Sequence, residues 1–236
     1  VYDKSVDSVG LNVGAMHALW TLKGLGALDD RTAAPFLAAF QSLAHPSAGV
    51  RRNAVAVLPP FDVSATGIID LGPIRDSDPQ VRLAAALALA DMPELNHAGE
   101  TIAALARDPA IVADRWTADA LTSAAAAHAQ PFLLSLASSA GTQKDNSDPL
   151  GGQALPIATI VAEHIARGKA EASSVEAIVA GLAKSDPRLI GVVLDGFVKG
   201  WPQSHRVKVS SEAEKSLVAL LERAPSGSKG QLLQLA

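Results

Sequence analysis

Six histidines, His17, His45, His97, His128, His164 and His205, are the side chains of this chain best suited to hold a metal ion or move a proton. A metal site on a helix needs ligands on one face, and no two of these histidines stand four residues apart. Glu163 and His164 are adjacent, which points them to different helix faces. The other reactive patterns fall short too. No Gly-x-Ser-x-Gly elbow presents a serine nucleophile. "SGSKG" at 226–230 lacks the spacing of a phosphate-binding loop, and "KGLGAL" around Gly24 and Gly26 lacks a full dinucleotide fingerprint. Both read as turns or helix ends. The acidic turns "LDDR" at 28–31 and "RDSDP" at 75–79 lack the spacing and distal Glu of a calcium loop. With no cysteine, disulfides, thiolate catalysis and zinc-thiolate sites are excluded. No catalytic, cofactor-binding or metal-binding residue is therefore expected, and no cofactor.

What recurs instead is arginine. Arg51, Arg52, Arg82, Arg115 and Arg188 stand at about the same place, shortly after a proline. A cation in the first turn of a helix opposes the helix dipole, so it needs another reason to be there. Carboxylates in the turns, such as Asp76 and Asp78, supply one: Arg can bridge neighbouring turns with a bidentate pair. A ladder between turns is the first reading. The second is a basic stripe that docks an acidic partner. Trp116 and Trp201 follow the same logic, as core aromatics or as contact hot spots at an edge. His17, beside Trp20, reads as a core or interface residue.

These side chains must be carried by helices. Asp-Pro occurs at 78–79, 108–109, 148–149 and 186–187, with His45-Pro46 as an upstream relative. Pro fits the first helical turn and Asp before it caps the free N–H groups. Runs of one helix length follow, such as "QVRLAAALALADM" and "RLIGVVLDGFVKGW". Between them lie second apolar segments at helical spacing: "TAAPFLAAFQSLA" (32–44), "AGETIAALA" (98–106) and "SSVEAIVAGLAKS" (173–185). A period of 30 to 40 residues between the prolines predicts repeated helix pairs. The longest irregular stretch, 138–156, reads as a loop inside a degenerate repeat.

The stretch "DSDPQVRLAAALAL" resembles the HEAT repeat, and "HPSAGVRRNAVAVL" is a second good match. "RDPAIVADRWTADAL" and "SDPRLIGVVLDGF" match more loosely. "HALWTLKGLGAL" followed by "HPSAGVRRNAVAVLP" resembles the HEAT segment of large exported bacterial proteins. In those a sugar-dehydrogenase-like β-propeller precedes the helical repeats and a c-type cytochrome domain follows. The resemblance covers residues 10–128 best and 129–236 loosely. It implies a periplasmic or exported setting and a haem- or quinone-dependent dehydrogenase as parent, with active site and haem outside these residues.

Composition sets the bounds. Hydrophobic residues make up 48% of the chain and aromatics only 4%, so the core must be built largely from alanine and leucine. A formal charge of -4 and the lack of a basic run give no footprint for nucleic acid or a membrane surface. No uncharged apolar run is long enough for a membrane span. The expected fold is all-α, an α-solenoid of about six stacked HEAT-like helix pairs forming a single domain over 1–236. The expected role is a non-catalytic scaffold for protein-protein or interdomain contacts, with Arg51, Arg52, Arg82, Arg115, Trp116 and Arg188 as candidate partner-binding residues. The partner is expected to be protein, from the same chain or another subunit. The start, without Met, and the apolar end "LLQLA" suggest a piece of a longer polypeptide. An uncapped solenoid edge should self-associate. Light scattering is then expected to show dimers or larger species, and a clean monomer would contradict this.

Overall fold

The computed structural model describes residues 2–139, 148, 150–202, 204, 206–225 and 227. All regular structure among them is helical, and no strand occurs. The chain divides into two compact units, residues 1–93 and 94–236.

Unit 1 holds α1 (Val13–Gly24), α2 (Ala34–Gln41), α3 (Ala48–Val57), α4 (Asp62–Asp70) and α5 (Pro79–Ala90). Here α1 packs on α3 and α3 on α5, forming one layer, while α2 and α4 pack behind as the other members of their pairs. Each of α2 and α4 leads into its successor through a short 3-10 turn, at 42–44 and 73–75. The seam between layers is filled by Leu19, Phe36, Leu43, Val50, Ile68, Ile74, Val81 and Leu89, all fully buried. Phe36 also meets the rings of Phe40 and Phe61, with centroids 6.0 and 5.9 Å away.

Unit 2 holds α6 (Asn96–Ala106), α7 (Pro109–Val112), α8 (Arg115–Ala127), α9 (Ala129–Ser139), α10 (Ala154–Arg167), α11 (Ala172–Leu182), α12 (Pro187–Gly200) and α13 (Ser211–Arg223). One layer runs α8, α10, α12 and the other α6, α9, α11, α13, each helix packing on the next. Alternation between two layers of side-by-side helices is the packing of an α-solenoid, and it is present in each unit.

The helix starts follow the expected capping chemistry at three of the Asp-Pro steps, one of which, Asp108-Pro109 with the Ala110 N–H donating to Asp108 at 2.9 Å, opens only a short helix. Asp78 accepts hydrogen bonds from the N–H groups of Gln80 and Val81, at 2.8 and 3.3 Å, and Pro79 opens α5. Asp186 accepts from the Arg188 N–H at 2.8 Å and Pro187 opens α12. Asp108-Pro109 starts only the four-residue α7, because a second cap follows at once: Asp114 accepts from both the N–H and the hydroxyl of Thr117 and starts α8. The other steps differ. After His45-Pro46 the helix begins at Ala48, with Ser47 at the cap position. Asp148 accepts from the Leu150 N–H, but α10 begins only at Ala154. Of the loop expected over 138–156, residues 140–147 and 149 lie outside the described residues, as does the expected terminal edge "LLQLA", while 138–139 belong to α9 and 154–156 to α10.

Small residues let the helices approach closely. A Cβ at Gly196 would collide with the Thr159 carbonyl oxygen and come within 2.8 Å of the Ala162 methyl. One turn on, a Cβ at Gly200 would collide with the Glu163 carbonyl oxygen. So α12 lies almost backbone to backbone on α10, where only glycine fits. Gly99 plays the same part where α6 meets α9, with Pro131 and the backbone of Phe132 2.7 Å from where its Cβ would be.

Gly196→Ala is therefore expected to destabilise by about 1–3 kcal/mol through forced separation of α10 and α12. Gly24→Ala, at the end of α1 with no atom near the added methyl, should be neutral or slightly stabilising. Urea unfolding midpoints of the two variants decide this; equal midpoints would contradict the close packing.

Candidate functional site

The arginines divide into four roles. Arg51 and Arg82 are structural counterparts, 31 residues apart. Each uses Nη1 to hold two carbonyl oxygens of its own preceding turn: Arg51 those of His45 and Pro46, at 2.8 and 2.9 Å, and Arg82 those of Asp76 and Ser77, at 2.7 and 3.1 Å. This closes the turn before the helix and explains a cation in the first turn despite the dipole. Arg51 does more. Its Nε and Nη2 meet Asp76 side-on at 2.6 and 2.8 Å, tying one turn to the next. Burial by itself would raise the Asp76 carboxyl. The Arg51 guanidinium, the Asp78 N–H and the Arg82 charge outweigh it and hold the group below its ordinary value. Carried on by 31 residues, the Asp76 position falls on Arg107, so the sequence offers Arg82 no carboxylate in that register. Its buried Nε accordingly makes no hydrogen bond among the described residues.

Arg188 also bridges turns, in the opposite sense along the chain. It binds Asp186 in its own turn and reaches back 40 residues to Asp148, with closest distances of 3.0 and 2.9 Å. Arg188 lowers the carboxyls of Asp148 and Asp186 through these bonds, but the pair with Asp148 is about half exposed on both sides and adds little to stability. Arg115 lies at the surface beside Asp119, at 3.5 Å, and its guanidinium sits 5.9 Å from the centre of the Trp116 ring. Trp116 is 67% exposed. Trp201, by contrast, packs edge-on against Phe197.

Arg52 is different from all of these. It is exposed and has no partner among the described residues. It borders an open groove of about 530 Å³ on the α1, α3, α5 face of unit 1. Arg52, Val55 and Ala56 from α3 stand opposite Ala84, Leu87 and Ala88 from α5. These are positions i, i+3 and i+4 on each helix, so each helix offers one stripe to the groove. Leu87 is 50% exposed there. Lys23 and Asp91 lie toward the other end.

The neighbouring seam, between α1 and α3, is bridged by side chains. Trp20 donates its indole N–H to Asn53 Oδ1 at 2.6 Å, and Lys23 Nζ donates to the Ala56 carbonyl at 2.7 Å. The Lys23 ammonium also lies 5.2 Å from the centre of the Trp20 ring. These partners stand 33 residues apart. One helix further on, Asn53 and Ala56 occupy the places of Trp20 and Lys23, and neither can span to α5. The groove is what remains.

Two buried histidines were not singled out by sequence. His45 accepts the Ser47 N–H at Nδ1 (3.0 Å) and lies 2.9 Å from the Asp3 carbonyl through Nε2, fastening the N-terminal arm. His128 accepts the Leu95 N–H at Nδ1, at 3.0 Å. Both act as structural acceptors, and the signal for them is weak because a lone His carries no spacing. His17, read as a core or interface residue, is exposed and so not part of the core. One Glu-x-x-His spacing does occur, Glu94 to His97, with both residues exposed. Among the described residues no group of three or more His, Asp or Glu could hold a metal ion, and no helix is long and apolar enough to cross a membrane.

Comparison with known protein families, with curated proteins and with solved structures found no match to this chain.

Because the Asp76 carboxyl is lowered in the folded state, its stabilisation is complete above its unfolded value and is lost as pH falls below about 4. Asp76→Asn should cost about 1.5–3 kcal/mol at pH 7 and flatten the acid side of the stability profile. Urea unfolding at pH 7 and at pH 3 measures both; a variant with wild-type stability at pH 7 would rule out the Arg51–Asp76 tie.

Proposed function

We propose that this chain is a non-catalytic, HEAT-like repeat scaffold that holds a protein segment or a neighbouring domain against the α1, α3, α5 face of unit 1. The groove between α3 and α5 carries this reading. A half-exposed leucine and an unpaired arginine flank an alanine floor in a stack whose neighbouring seam is bridged by side chains. Arginine is enriched at interfaces and among the few residues that carry most of their binding free energy, and an exposed apolar side chain beside it gains from being covered. The HEAT-like character is supported by the Asp-Pro cap, the arginine that closes the turn before α3 and α5, and the two helix layers. The two buried histidines, His45 and His128, bind backbone N–H groups, and Arg51 and Arg82 bind turn carbonyls or a carboxylate, all in structural roles.

The test is a selection of displayed random peptides on the immobilised chain. Groove-dependent binders are expected, weakened at least about tenfold by Leu87→Asp and unaffected by Trp116→Ala. Leu87 is half exposed, so unchanged circular dichroism should confirm the fold of the variant. Failure to enrich any peptide that Leu87→Asp weakens would overturn the proposal.

A further inference from the structure

Resting on the scaffold reading, we propose that the groove between α3 and α5 selects a segment carrying a carboxylate flanked by bulky apolar side chains, with Arg52 as the group that meets the carboxylate. The direction of the groove follows from the turn clamp. Arg51 at the start of α3 binds Asp76, just before α5, so the two helices begin side by side and run the same way. Arg52 therefore marks the end of the groove near the helix starts. Asp91, which follows α5, marks the other end, about eight residues or roughly 12 Å further along the axis.

The surroundings set the sign of charge. Unit 1 as a whole carries more carboxylates than cations, yet the groove presents Arg52 and Lys23 against Asp91 alone. Lys23 is already engaged by the Ala56 carbonyl and the Trp20 ring. The guanidinium of Arg52 keeps all its donors for a ligand and can grip a carboxylate with two parallel hydrogen bonds. It does so beside low-polarity wall, where such a pair is screened less than at an open surface. The floor fixes the rest. Ala56, Ala84 and Ala88 leave space where a longer side chain from α3 would lie, as Trp20 and Lys23 do one helix earlier. A ligand's own apolar side chains must fill that space and cover Leu87.

The experiment uses two libraries of 15-residue peptides on the full chain. Both contain Leu, Ile, Phe and Ala; one adds Glu and Asp, the other Lys and Arg. Wild type is expected to enrich the acidic library at least about tenfold over the basic one, with affinity falling several-fold from 0.05 to 0.5 M salt. Arg52→Glu, at an exposed and unpaired position, should keep the fold and reverse the preference. Equal or basic preference by wild type, or no change in Arg52→Glu, would overturn the inference. If peptides of either sign are still lost in Leu87→Asp, the scaffold reading stands without the charge selection. If nothing depends on the groove, both fall.

Discussion

Everything in this fold depends on how closely neighbouring helices can lie within a layer. Aromatics are scarce, so the stack is held by alanine and glycine, and the spacing is set by what little projects from each backbone. Where Gly196 and Gly200 face α10, the backbones nearly touch. Where Trp20 and Lys23 face α3, the seam is filled and stitched by hydrogen bonds. Where Asn53 and Ala56 face α5, the seam stays open. The same architecture thus yields a closed joint, a bolted joint and a groove, according to the length of the side chains where two helices meet.

The turns hold this spacing in place. Arg51 and Arg82 each close the turn that precedes their helix by gathering two carbonyl oxygens, which converts an unfavourable first-turn cation into a structural bolt. Arg51 alone has a carboxylate in reach in the next turn, and the pair with Asp76 is largely sheltered from water. That tie brings the starts of α3 and α5 together. The groove owes its straight, two-striped form to it. Arg188 makes a comparable bridge in unit 2, at the surface and in the reverse direction, so the ladder reading of the arginines holds for Arg51 and Arg188 but not for Arg52, Arg82 or Arg115.

Much of the fold was legible in the sequence because its signals are local. Asp78-Pro79 and Asp186-Pro187 start helices as capping chemistry requires, and the alanine-leucine runs between breakers become the helices. The failures have local causes too. Asp108-Pro109 looks the same as its relatives, but Asp114 caps a second start only six residues on and cuts the first helix short. His17 stands one turn from Trp20 on α1 and is still exposed, because an aromatic neighbour in sequence does not fix which side of the helix is covered. The groove was legible only in part. Arg52 was grouped with Arg51 from their shared position, though adjacent residues on a helix point a third of a turn apart, one to the turn and one to the open face. That the space beside it is empty follows from an absence at Asn53 and Ala56. It becomes visible only once Trp20 and Lys23 show what a filled seam looks like.

The most direct test is to fill the groove as the molecule bridges the neighbouring seam. Ala56→Lys places on α3 the longer side chain that Lys23 supplies on α1, and it leaves Asn53 in place to accept the Trp20 indole N–H. Affinity for a peptide selected on the wild-type groove should then be measured by titration calorimetry. The account predicts a folded variant, at least as stable as wild type, whose binding is lost. A variant that folds and still binds the peptide with wild-type affinity would show that the open seam between α3 and α5 is not the working surface.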